Sequence, residues 1–256
     1  SLLKLFKEFN GCNWNHNFGW IGLPKSSSRS QVKKLEVESS LFEGIIIGRA
    51  PSWSKSTSGN NNTGTSTVIG ISMNNNNCEG DFPTCIQDFT MCQALKLEWN
   101  LINGYIPRNF SRLIHLQSIQ LSSNCIEGHM SQDVFGEFDN LHLLDLSFNQ
   151  LSGNIPNCFS KYMSLVTLNL AGNQFTGSLP PTLQHTTRLT TLKLNNNQLH
   201  GSINDHNIFP TLVNLLNINL SRNQLHGTLD CFMNCIHVQK LIINHNQFTG
   251  IIPKNI

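Results

Sequence analysis

The residues here that could do chemistry are cysteines, histidines and a few paired carboxylates. Their spacing argues against most of it. Cys231-x3-Cys235-x-His237, with His226 or His245 as a further ligand, offers thiolates and imidazoles of the kind that hold zinc. A structural zinc site gathers two such pairs, and the second is missing, so no metal is expected. Glu36 and Glu38 stand two apart, which on a strand turns both carboxylates to one face. That face reads as solvated, with no dry pocket to raise a pKa. Gly59, Gly64, Thr65 and Ser66 imitate a phosphate loop but lack its lysine. The histidines, His115, His142 and His200 among them, are scattered. No Ser/His/Asp or Cys/His set and no nucleophile elbow is found. The chain is expected to be no enzyme and to carry no cofactor.

What must position these residues is a repeat. The pattern L-x-x-L-x-L-x-x-N-x-L-x-G-x-I-P reads Leu141, Leu144, Leu146, Asn149, Leu151, Gly153, Ile155, Pro156 in one turn. The next turn reads Leu165, Leu168, Leu170, Asn173, Phe175, Gly177, Leu179, Pro180. The aligned asparagines are Asn76, Asn100, Asn124, Asn149, Asn173, Asn197, Asn223 and Asn246, about 24 residues apart. Only a stacked array yields that regularity. Leucines alternating with polar residues predict a strand with one buried face, so Leu192, Leu194, Ile218 and Leu220 point in while Lys193 and Asn219 point out. Each asparagine turns inward at a corner, where its amide can bond backbone groups of its own and neighbouring turns. A glycine follows for a tight bend. Pro83, Pro107, Pro156, Pro180 and Pro253 fix φ where the chain turns to the convex side.

These residues resemble the plant-specific class of leucine-rich repeats, found in plant receptor kinases, receptor-like proteins and polygalacturonase-inhibiting proteins. The x-G-x-I-P extension carries the resemblance, which covers Val32 to Ile256. It implies an α/β leucine-rich-repeat solenoid, a right-handed superhelix with a parallel β-sheet on the concave face and a 3₁₀ or irregular convex side. The expected organisation is a cap-like segment at 1–31 followed by about nine turns at 32–256, with no C-terminal cap. Leu2, Leu3, Leu5 and Phe6 predict a short amphipathic helix in the cap. The family's usual second cap cysteine is absent after Gly19-Trp20-Ile21-Gly22. An early turn reads Val32, Leu35, Val37, Ser40, Phe42, Gly44, Ile46, with Ser40 in place of asparagine. The gap from Ser40 to Asn76 is half as long again as one turn, and the excess falls in the Ser-, Asn-, Gly- and Thr-rich stretch 52–67, read as a surface loop. A start at serine and a stop at Ile256 partway round a turn read as a piece of a longer array. No apolar run is long enough to span a membrane.

Charged residues make up 12% of the chain and the formal net charge is +2, which does not favour nucleic acid or an anionic membrane as partner. Sequons at Asn61, Asn109 and Asn219 fit a secreted, cell-surface or apoplastic location. Cys78 and Cys92 read as small buried hydrophobes, and Cys231 with Cys235 as the leading disulfide candidates. Cys85 with Cys92 is a weaker pair.

Binding is expected on the outward positions of the concave strands. The leading patch joins Trp99 and Phe148 to Lys96, Glu98, Gln120 and Asp145, with Asn169, Lys193 and Arg222 extending it. The resemblance implies an extracellular recognition module for a peptide, protein or wall-derived ligand, with a co-receptor kinase as a further partner. Alternatives are a secreted inhibitor of a pathogen's wall-degrading enzyme and an ice-binding protein. The last would use the column Gln150, Gln174, Gln198, Gln224 and Gln247, although inheritance from duplicated turns is the readier cause of that column, glutamine being long and mobile rather than rigidly templated.

Overall fold

A computed structural model describes Lys4, Leu5 and Glu8, residues 45–49 and residues 66–254 apart from residue 137. Eight parallel strands form the concave wall: Ser66–Ser72, Ala94–Lys96, Ser118–Gln120, Leu143–Asp145, Thr167–Asn169, Thr191–Lys193, Asn217–Asn219 and Lys240–Ile242. Their central residues stand in register, Ile71 beside Leu95, then Ile119, Leu144, Leu168, Leu192, Ile218 and Leu241. All but Leu241 are buried. A period of two within each strand sends these residues into the core and their neighbours to solvent.

The corner asparagines hold one turn to the next. Asn149 donates its amide to the carbonyls of Leu146 and Ser147 in its own turn and of Leu121 in the turn before, at 3.1, 3.2 and 2.9 Å. Its Oδ1 accepts the Ile126 N–H at 3.0 Å. Asn100, Asn124, Asn173, Asn197, Asn223 and Asn246 repeat the arrangement. Among the described residues no buried side-chain nitrogen or oxygen lacks a partner. The expected ladder is present.

The convex side is built from one-turn helices. The 3₁₀ segments Thr84–Asp88, Arg108–Arg112 and Pro181–His185 follow directly on Pro83, Pro107 and Pro180, each at φ near −70°. Two further segments, Gln132–Phe135 and Ile208–Thr211, are α-helical rather than 3₁₀. Behind them runs an aromatic spine that the leucine pattern does not announce. Phe110 packs edge-on to Phe82 and Phe138, each at 5.7 Å between ring centres. Phe159 meets Tyr162 at 5.4 Å, and the buried Tyr162 hydroxyl donates to the Phe135 carbonyl.

Two departures from expectation stand out. Ile45–Arg49 pairs antiparallel with Ser66–Ser72, Ile45 opposite Ile71 and Arg49 opposite Ser66. Ile46 was expected in an early turn, whose other expected residues up to Gly44 lie outside the described ones. Instead a strand doubles back on the sheet, because 45–47 is three consecutive isoleucines that suit an edge strand better than a bend. Ser66 and Thr67, assigned to the loop, therefore lie in a strand; residues 50–65 and most of 1–44 fall outside the described residues. The segments after the asparagines also pair among themselves on the flank. Glu127–His129, Gln150–Asn154 and Gln174–Thr176 form one small sheet, and His200–Ser202, Gln224–Thr228 and Gln247–Thr249 another.

Replacing Asn149 by alanine strands one buried N–H and its share of three carbonyls. At about 1–3 kcal/mol for each buried group left unsatisfied, a loss of roughly 3 kcal/mol is expected, seen as a lower urea midpoint. Asn149→Leu, which refills the volume, should not restore it. A loss below about 1 kcal/mol would contradict the role given to the ladder.

Candidate functional site

The outward concave positions divide into two halves of different character. In the N-terminal half the polar groups satisfy one another. The Glu98 carboxylate accepts from Asn74 at 2.9 Å and from the Ser122 hydroxyl at 3.0 Å. Gln120 donates to Ser118 at 2.8 Å. The Asp145 carboxylate accepts the Ser147 hydroxyl at 2.6 Å and the Asn169 amide at 2.8 Å. Asn169 is consequently buried. Of the expected patch, Glu98, Gln120, Asp145 and Asn169 are thus tied to neighbours in their own wall.

The C-terminal half differs. A depression of about 420 Å³ opens there, with Phe148 at one rim and Lys240 and Ile242 at the other. Between them lie Asn169, Lys193, Asn195 and Asn217. The side chains of Lys193, Asn195, Asn217 and Lys240 make no hydrogen bond or ion pair among the described residues. No carboxylate lines the depression. Lys193 and Lys240 stand two strands apart and two residues out of line, about 12 Å between backbones, close enough for their long side chains to repel across about one Debye length of salt. The expected residues Trp99, Lys96 and Arg222 do not line this hollow.

The signal for Asn217 and Lys240 was in the sequence. They occupy the position before the buried central residue, which period two turns outward as surely as the position after it.

Trp99 and Phe148 are both exposed, at 67% and 57%, and both hold left-handed backbone, φ 56° and 53°. So do Asn75, Ser123, Gly172, Asn196, Arg222 and His245, the residues that directly precede the ladder asparagines. The corner imposes this conformation, and bulky residues adopt it at a cost of order 1 kcal/mol. The Phe148 ring extends over Gly172 in the next turn, where a Cβ would sit 2.7 Å from ring Cδ1. Trp99 lies two turns from the hollow. Phe148 thus stands at the rim of the hollow and Trp99 outside it.

Cys231 and Cys235 are free, buried thiols, not a disulfide. Cys235 Sγ is turned to the preceding turn, 3.5 Å from the Phe209 carbonyl. Cys85 and Cys92 are likewise free. Burial raises the thiol pKa of Cys78, Cys85, Cys92, Cys158 and Cys231 to about 12 and that of Cys235 to about 11. At Cys85 the Glu8 carboxylate adds to burial. No group of three or more His, Cys, Asp or Glu among the described residues is arranged to hold a metal. Of the sequons, Asn61 lies outside the described residues and Asn109 is exposed on a convex helix. Asn219 lines the depression, its Oδ1 accepting the Ser221 hydroxyl at 2.8 Å. The glutamine column is not continuous: Gln150 and Gln174 belong to one flank sheet, Gln224 and Gln247 to the other, and Gln198 to neither.

The arrangement has known relatives. The Leucine rich repeat family profile matches residues 115–175. Receptor-like protein 18 of Arabidopsis thaliana is 32% identical over 89 residues, which is 35% of this chain and 10% of that protein. The chain thus spans about a tenth of that relative's length. The ectodomain of the Arabidopsis membrane receptor kinase GASSHO1/SCHENGEN3, solved with CASPARIAN STRIP INTEGRITY FACTOR 2, aligns with TM-score 0.65 and 26% identity over 69% of this chain and 21% of that one. The receptor kinase HAESA, solved with the peptide hormone IDA and the co-receptor SERK1, aligns in fold with TM-score 0.67 and 23% identity over 99% of this chain and 43% of that one. No helix among the described residues is long and apolar enough to cross a membrane.

Cys125 is exposed while the other six described cysteines are buried. Iodoacetamide at about pH 8 should therefore alkylate Cys125 and spare those six until the chain is unfolded. Peptide mass spectrometry reads this, and a Cys231–Cys235 disulfide would instead appear as two thiols blocked even after unfolding without reductant. Because burial holds these thiols protonated, the unfolded chain loses their protons first. Stability should accordingly fall as pH rises from 9 toward 12.

Proposed function

We propose that this plant-type leucine-rich-repeat chain is an extracellular recognition module of a receptor-like protein. Its ligand is a peptide, or an extended segment of a protein, that carries carboxylates and lies in the C-terminal half of the concave wall. One observation carries this reading: two lysines and two amides face a common hollow with nothing of their own to bind. Unpaired lysines held near one another repel, and an anionic guest relieves that repulsion while pairing both. The amides of Asn195 and Asn217 can each donate to and accept from an extended backbone. Phe148 and Ile242 at the two rims offer apolar contact at the ends of the groove. A peptide as the ligand and a co-receptor kinase as a further partner are proposed by analogy with HAESA, alike in fold, which is solved with a peptide hormone and a co-receptor; GASSHO1/SCHENGEN3 is likewise solved with a bound factor. The reading places the chain at the cell surface or in the apoplast.

Panning a library of random peptides against the immobilised protein tests it. Peptides rich in Asp and Glu, or bound through a free carboxyl terminus, should be enriched. Their affinity should fall at least about tenfold in the Lys193→Glu, Lys240→Glu double variant and fall steeply with added salt. Lys96→Glu, three turns or more from either lysine, should change it less than about threefold. Enrichment of basic peptides, or equal binding to the double variant, would overturn the assignment.

A further inference from the structure

The flank of the solenoid holds a second polar hollow, of about 380 Å³, on a different face from the concave groove. Its residues stand in two rows across the small flank sheet. Tyr105, Glu127 and Gln150 pair laterally in one row, and His129, Ser152 and Gln174 in the other. The rows are two residues apart along each strand, so all six side chains rise on the same side, about 7 Å between rows and about 5 Å between strands.

The chemistry of this set is specific. Tyr105 is 66% exposed, yet its ring is seated: it lies against Gly128, where a Cβ would fall 2.2 Å from ring Cδ1. Gly128 holds φ 88°, so the chain accepts glycine there on both counts. A fixed ring with one side open to solvent is a platform for a flat apolar surface. Beside it stand the carboxylate of Glu127 and then the amide of Gln150, with the amide of Gln174 one strand further on. None of these three makes a hydrogen bond or ion pair among the described residues. Planar amides and a carboxylate present two adjacent acceptors, or a donor and an acceptor, in one plane, which matches a pair of neighbouring hydroxyls. His129 and Ser152 are joined to each other at 3.3 Å and close the far edge.

We propose that this flank hollow is a binding subsite for a neutral β-linked glucan chain. An all-equatorial pyranose carries its C–H bonds on its two faces and its hydroxyls around its rim. A chain of such sugars can therefore lay one ring on Tyr105 while its hydroxyls reach Glu127 and Gln150, and Gln174 meets a sugar further along. The unpaired Glu127 carboxylate repels acidic sugars, which separates this subsite from the lysine-lined groove in both position and charge preference. The role also accounts for Gln150 and Gln174 without ice templating.

Titration calorimetry of the full chain with cellopentaose tests the subsite, with trigalacturonate as the acidic control. A shallow, solvent-open hollow predicts a dissociation constant on the order of 1 mM. Tyr105→Ala should weaken binding at least about tenfold and Gln150→Ala several-fold, whereas Tyr105→Phe keeps the platform and the affinity. The exposed position of Tyr105 lets the alanine variant fold, which circular dichroism checks. Lys193→Glu with Lys240→Glu should leave cellopentaose binding unchanged. Failure of cellopentaose to bind, binding indifferent to Tyr105→Ala, or trigalacturonate binding as tightly would each overturn the proposal.

Discussion

Each turn of this chain buries its apolar side chains, Leu141, Leu144, Leu146, Leu151 and Phe159 in one, against the turns on either side, so nothing about a single turn is stable. What lets turns add is the corner amide. Asn124 donates to Leu97 one turn back and to Leu121 and Ser122 in its own turn, while its oxygen takes the Ile102 N–H. A leucine there would fill the space but leave the Ile102 N–H without its acceptor and take one donor from each of the three carbonyls, which would keep only Asn100, Asn149 and the Trp99 N–H. The ladder and the hydrophobic stack are therefore one constraint. Apolar burial draws the turns together, and the amides fix the distance and register at which they meet. The left-handed residues before each asparagine follow from the same corner, since turning the amide inward forces its predecessor out to solvent. Trp99 and Phe148 are exposed for that mechanical reason first.

The same stacking decides where the concave wall is available to a guest. Strands about 5 Å apart let an outward side chain reach its neighbour in the next turn. Where short partners match, they close on each other. Asp145 finds Ser147 and Asn169, and Glu98 finds Asn74 and Ser122. Lys193 faces Asn169 and Asn219 in the adjoining strands, and Lys240 faces Asn217. None of these supplies a negative charge. The wall is thus internally closed at one end and left open at the other. This is a better guide to a binding surface than exposure, because a satisfied polar group gives little on meeting a ligand.

Much of this was legible in the sequence, and the limits have physical causes. The strands, the inward leucines, the asparagine corners and the prolines were readable because each is a within-turn pattern repeated many times. The patch expected around Trp99 and the hollow proposed at Lys193 and Lys240 differ because availability depends on pairs such as Glu98 with Ser122, which lie a full turn apart and have no signature within one turn. The antiparallel strand Ile45–Arg49 breaks the period, so no repeat announces it. Cys231 and Cys235 looked like a pair because they are close in sequence, whereas Cys235 is directed to Phe209 in the preceding turn. Neighbours in a solenoid are set by the stack more than by the chain.

Asn219 brings these threads together. It sits on a concave strand between Lys193 and Ile242, inside the hollow, and it begins a sequon. In the folded chain the sequon's own Ser221 donates both its N–H and its hydroxyl to the Asn219 oxygen, at 3.1 and 2.8 Å. A glycan on that amide would project into the space of the proposed ligand. Sugar and ligand exclude one another there by volume, while Asn109 on the convex side could carry a glycan without touching either hollow. The open half of the wall can serve as a receptor surface only in molecules whose Asn219 is bare.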